Sequence, residues 1–176
     1  VCPAPPPAGA AEQALTIATT APPKTLDGND PGTHGLAVYA WMYDGLTRID
    51  TRGKVQPALA ESWRVEGPTS IVFQLRKAVR FHNGEEFDAE SVKFTLEYNI
   101  DPKNKRTYGT RVASIKSVEI LGKHAVRLIM KAPDAPLLGN LAVQYILPAR
   151  YFREKGPQGF NRAPVGTGMF KVKAVN

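Results

Sequence analysis

The sequence predicts a mixed α/β fold, with short strands and tight turns interleaved with a few helices. One observation is the recurrence of short apolar runs with period-two alternation, such as "LTRID", "SIVFQLR", "SVEIL" and "AVRLIM". A second is the punctuation: 15 prolines and 15 glycines in 176 residues break the chain into short pieces. The third is the pair of longer segments that suit helices, "LAVYAWMY" and "AESVKFTLEYN".

Taken in order, residues 1–13 are Pro/Ala-rich with too little apolar bulk to pack, so they are expected to form an extended tether. They fit the small-residue end of a signal peptide, a stalk behind a lipid-attachment cysteine at Cys2, or a plain disordered end. Residues 14–19, "ALTIAT", read as a buried strand, followed by the turn-rich loop "APPKTLDGNDPGTHG". A buried helix is expected across 36–43, capped near Thr33 and ending at Gly45. "LTRID" and "KVQP" then form a strand pair around "TRG", and "ESWRVEG" and "SIVFQLR" a second pair around Gly67-Pro68. Ile71, Phe73 and Leu75 should face the core.

Residues 89–99 carry a conflict. Val92, Phe94, Leu96 and Tyr98 alternate as in a strand, yet Val92/Leu96 and Phe94/Tyr98 are also spaced i,i+4. Asp88 is a good N-cap, and Glu90 sits where a helix dipole favours an anion, so a helix is expected. A hairpin follows around Gly122-Lys123-His124, then a short helix in "LLGNLAVQ" and a strand in "YIL". Pro148 should open a helix over "ARYFREK", and the Gly-rich turn "PVGTG" should lead into a closing strand.

Charge and reactive residues narrow the function. The net charge is +7, but the densest basic cluster, Lys103, Lys105 and Arg106, contains no run of four, and no basic helix face lies beside stacking aromatics. A solvated basic surface is the better reading, without nucleic acid as a partner. Cys2 is the only cysteine, so no intrachain disulfide can form, and no apolar run approaches the roughly 18–20 residues of a membrane span. His34, His82 and His124 lack metal-ligand spacing. Nucleophile elbows and phosphate-binding loops are missing, and "GTGMFK" lacks the third glycine of a dinucleotide fingerprint.

The densest candidate site is "VRFHNGEEFDAESVKF", residues 79–94. Here Asn83-Gly84 suits a tight turn with positive φ, and Asp88 with Glu90 suits a helix start. Glu85 and Glu86 would point in opposite directions on an extended chain. His82 and these glutamates therefore read as solvated neighbours of a turn, and His124 as a solvated turn residue. Neither metal ligands nor catalytic residues are expected.

The motifs "LTIATTAPPKTLDGND", "YDGLTRIDTRGKVQPALAESWRVEG", "FQLRKAVRFHNGEEFDAESVKFTLEY" and "VGTGMFKV" occur in this order. Their succession resembles the extracellular solute-binding proteins of family 5, the dipeptide-, oligopeptide- and nickel-binding receptors of ABC importers, over residues 14–176. The resemblance implies a non-enzymatic receptor with a two-lobed venus-flytrap fold and no cofactor. It would capture a peptide or similar small solute between the lobes and deliver it to membrane permease subunits. The alternatives are a scaffold or signalling module that binds a protein, and a receptor for nickel or another chelated metal.

By the same resemblance, the chain corresponds to a portion of lobe I, without the second lobe. Residues 15–45 and 165–176 would start its main sheet, and 46–164 would form an accessory subdomain. The expected setting is the periplasm or the outer cell surface, as a monomer. Ligand-binding candidates are Thr20, Ala21 and Pro22 after the first strand, His34 and Leu36 in and beyond the long loop, Tyr108 in "NKRTYGTR", and Gln144 and Tyr145. The helix "LAVYAWMY" is aromatic enough for a stacking site, but core packing is the better reading.

Overall fold

A computed structural model describes residues 25–29 and 36–173. The strand expected at 14–19 and the cap expected at Thr33 lie outside the described residues. Helix α1 spans Leu36–Met42. Tyr39, Met42 and the adjoining Tyr43 are buried and belong to the core, whereas Trp41 is exposed and meets the exposed Phe170 ring at 5.6 Å.

Strands β1 (Thr47–Ile49) and β2 (Val55–Pro57) pair antiparallel, as expected. Asp50 closes their turn, its Oδ1 accepting from the amides of Arg52 and Lys54, each at 2.9 Å. Strands β3 (Ala60–Val65), β4 (Ser70–Leu75), β5 (Ile115–Gly122) and β6 (Ala125–Met130) form an antiparallel sheet in the order β3-β4-β6-β5. Ile71, Phe73 and Leu75 enter the core as the alternation requires. Val72 on the opposite face is buried as well. Its cross-strand neighbours are Arg64 and Arg127, whose side chains Glu66 holds together by ion pairs to both. Long arginine stems can cover an apolar neighbour while their heads stay in water.

Helix α2, Ala89–Ile100, resolves the conflict at 89–99. Asp88 caps it, with Oδ1 accepting from Ser91 N at 3.0 Å, and Glu90 lies in the first turn. Val92 and Leu96 are buried over β5 and β6. Phe94 and Tyr98 stack at 5.7 Å and both meet Phe152, at 5.5 and 5.0 Å. The apparent alternation is two i,i+4 pairs facing two different neighbours.

Two short 3-10 segments, Pro102–Asn104 and Thr107–Val112, follow α2. Beyond the sheet lie the single turn α3 (Leu137–Asn140) and α4 (Ala149–Arg162), which breaks at Gly156, one residue before Pro157.

Two expected strands are not seen among the described residues. At "YIL", Ile146 N donates to Asp44 O (3.0 Å) and Leu147 N to Thr95 Oγ1 (2.9 Å), so the donors serve two different elements instead of one ladder. Residues 171–173 are not in a strand either. The segment before them is bound through Gly168 N to Met42 O and Phe170 N to Trp41 O, each at 3.0 Å. These bonds tie it to the end of α1 rather than to a neighbouring strand.

Candidate functional site

The short described loop Thr25-Leu26-Asp27-Gly28-Asn29 is the point on which distant elements converge. The hydroxyl of Tyr39 donates to Thr25 O, and that of Tyr43 to Leu26 O. The amide of Leu26 and the hydroxyl of Thr25 both meet Asn161 Oδ1 on α4. Asn29 grips the backbone of Tyr145 from both sides. Its Nδ2 donates to Tyr145 O at 2.7 Å, and its Oδ1 accepts from Tyr145 N at 2.9 Å.

Gly28 fits this packing because it lacks a side chain. A Cβ there would lie 2.6 Å from a ring carbon of Tyr145 and 3.0 Å from one of Tyr43.

Arg106 corrects a sequence-based expectation. It does not belong to a solvated basic cluster: its side chain is 7% exposed and pairs with Asp27, which is 4% exposed. The guanidinium also lies 5.3 Å from the centre of the Tyr98 ring. A buried pair of this kind fixes geometry, because separating either charge from its partner strands it away from water.

Of the ligand-binding candidates, Tyr108, Gln144 and Tyr145 come together. Gln144 Nε2 donates to Tyr108 O at 2.9 Å, and Gln144 Oε1 accepts from Asn99 Nδ2 at 2.9 Å. All three candidates are buried, and Arg111 places its guanidinium 4.5 Å from the Tyr108 ring centre. Burial, with Tyr108 and Asp44 nearby, pushes the Tyr145 phenol up to about 12. Leu36 opens α1. Thr20, Ala21, Pro22 and His34 lie outside the described residues.

Sequence reasoning missed Asp27, Asn29, Asn99 and Arg106. The turn-rich composition of "TLDGND" marked a loop but not its distant partners.

The region 79–94 is a structural joint. Among the described residues, no group of three or more His, Cys, Asp or Glu side chains is placed to hold a metal. Gly84 takes φ 86°, as the Asn-Gly turn requires. His82 is not a solvated residue, however. Its backbone N donates to Gly166 O at 2.9 Å, its Nε2 lies 2.8 Å from Gly168 O, and Gly166 N donates to its Nδ1 at 3.4 Å. Since an amide can only donate, the ring carries its proton on Nε2. Glu85 is likewise tied down, accepting from the amides of Arg150 and Tyr151. Glu86 turns away to Lys123, 2.9 Å distant, so the two glutamates diverge as expected. His124 also departs from a solvated role, since its Nδ1 is buried without a hydrogen-bond partner.

The fold and motif order meet in a family comparison. The model described as "Bacterial extracellular solute-binding proteins, family 5 Middle" matches residues 54–176. The chain belongs to this family. Its members are solute-binding proteins, not enzymes.

A di/tripeptide-binding protein 2 of Pseudomonas aeruginosa is 33% identical over 89% of this chain and 37% of its own length. The binding protein AgaA of A. tumefaciens R10, solved with agropinic acid, superposes with a TM-score of 0.82 at 33% identity. That match covers 88% of this chain and 32% of AgaA. NikZ of Campylobacter jejuni, solved with Ni(L-His), gives 0.81 at 29% identity, covering 87% and 31%. The chain thus spans about a third of the length of these relatives, and its mixed α/β fold is part of one lobe of a two-lobed binding protein.

Proposed function

We propose that this chain is the lobe I portion of a receptor for an ABC importer. The receptor captures a peptide or similar small solute in an interlobe cleft and delivers it to a membrane permease. Residues 46–164 serve as an accessory subdomain beside a main sheet begun by 15–45 and 165–176. The observation that carries the reading is the convergence of the 25–29 loop with Tyr108, Gln144 and Tyr145. A binding cleft needs a few fixed polar and aromatic groups rather than a reactive constellation, and here each is held by buried partners. Thr20, Ala21, Pro22, His34 and Leu36 complete the proposed lobe I edge.

The di/tripeptide-binding relative supports a peptide ligand, and the relative solved with Ni(L-His) supports a metal chelate as the second reading. Closure follows if ligand binds the closed arrangement of the lobes better than the open one.

The test uses the full-length receptor in native mass spectrometry, before and after stripping. Calorimetry with di- and tripeptides and with nickel–histidine follows, and small-angle scattering reports closure. Peptide binding with a contracted particle is the expected result. Nickel–histidine binding alone would select the second reading. Lack of binding and contraction with every probe would overturn the receptor role in favour of a protein-binding scaffold.

A further inference from the structure

We propose that a small basic cavity at the C-terminal end of α4 binds a phosphate group. It encloses about 250 Å3, and its walls include His82, Asn83, Tyr151, Arg162, Lys171 and Lys173. That volume falls below the roughly 300–1,000 Å3 of pockets for drug-sized ligands, so the cavity suits a compact group.

Its charge is one-sided. Arg162, Lys171 and Lys173 form no ion pair with any described residue, and no carboxylate lines the cavity. The nearby acids are engaged elsewhere: Glu85 accepts from the Arg150 and Tyr151 amides, and Asp44 accepts from Thr167 Oγ1. The cations that border a cavity along α2 differ in this respect. Lys93 and Arg153 are paired with Glu97 and Glu90.

Among the neutral polar walls, Tyr151 donates its hydroxyl to Ala163 O, and Asn83 supplies the available donor. Asn83 Oδ1 is occupied by Glu85 N, while its Nδ2 makes no hydrogen bond among the described residues and can donate. Both ring nitrogens of His82 are engaged by the 166–168 turn, so His82 is a fixed wall. Arginine offers a planar fork that matches phosphate oxygens, and the two lysines add mobile point charges. A free phosphate and a phospholipid headgroup share this chemistry.

The experiment compares two variants of the full chain with equal charge. Arg162→Gln/Lys171→Gln/Lys173→Gln empties the cavity of cations. Lys77→Gln/Lys103→Gln/Lys116→Gln removes three exposed lysines elsewhere, so each variant falls from +7 to +4. Binding of inorganic phosphate is followed by calorimetry. Binding to phosphatidylcholine vesicles with and without phosphatidylglycerol is followed by co-sedimentation.

The expected result is at least a tenfold loss of affinity in the cavity variant, with the control variant near wild type and thermal melting matched in all three. Loss confined to inorganic phosphate would identify a free phosphate, and loss confined to the anionic vesicles a headgroup. An equal loss in both variants would show diffuse charge attraction and overturn the site. Undetectable binding by the wild type to both probes would overturn it as well. A single Lys173→Gln variant, expected to weaken binding severalfold, repeats the test should the triple variant melt early.

Discussion

Glu85 caps a helix that begins 64 residues after it, accepting from Arg150 N at 3.0 Å through Oε1. Its other oxygen accepts from Tyr151 N at 3.2 Å, and Pro148, at the N-cap position of α4, provides no side-chain cap of its own. The bonds therefore do the work of an N-cap while tying the Asn-Gly turn to α4. Glu85→Ala is expected to destabilise the fold by about 0.5–2 kcal/mol, the usual range for a lost cap. The shift of the urea midpoint measures it. Glu86→Ala removes only an exposed partner of Lys123 and should move the midpoint little.

His82 holds the 166–168 turn by three hydrogen bonds, two of them from its ring. The turn lies close on α1: a Cβ on Gly166 would come within 2.0 Å of Met42 O. His82→Ala leaves Gly168 O and Gly166 N without their ring partners. The expected loss is about 1–3 kcal/mol, with faster hydrogen exchange at the Gly166 amide. Zinc should give no His82-dependent rise in melting temperature, because both ring nitrogens are already engaged.

Asp27 and Arg106 are expected to behave as a unit. Removing one partner strands the other charge in a nearly dry site, so Arg106→Met alone should cost about 3–5 kcal/mol. Adding Asp27→Leu to it should recover much of that loss, since an apolar pair leaves no buried charge behind. A double-mutant cycle from urea unfolding reads the coupling directly.

The parts of this molecule that the sequence made legible are those whose partners are close in the chain. The Asp88 cap and its helix, the strand pairs around 50–54 and 66–69, and the hairpin at 122–124 all follow from local rules. So did the burial of Ile71, Phe73 and Leu75. Misreadings occur where one residue serves two distant elements. Residues 145–147 look like a strand, yet their amides go to Asn29, Asp44 and Thr95. His82, Glu85 and Arg106 look like solvated polar residues, yet each is bound to a segment 65 or more positions away. Family likeness pointed to Tyr108, Gln144 and Tyr145, but Asn29 and Asn99, which hold two of them, carry no local signal.

Tyrosine ionisation gives the pH test of the candidate site. Burial, with Tyr108 and Asp44 nearby, raises Tyr145 to about 12, and burial beside Asp27 and Tyr39 also raises Tyr43 above the ordinary tyrosine range. An unfolded tyrosine ionises near about 10. A raised folded value means that this stability is fully present below about pH 10. It is lost as pH climbs toward about 12, because the unfolded state releases its proton first. Tyr43 and Tyr145 should therefore lag in absorbance at the phenolate band until the fold opens. Tyr145→Phe should flatten the fall of the urea midpoint between about pH 10 and 12 while changing it little at neutral pH. A Tyr145→Phe protein with the same alkaline profile as wild type would show that Tyr145 is not held neutral against Tyr43 and the 25–29 loop.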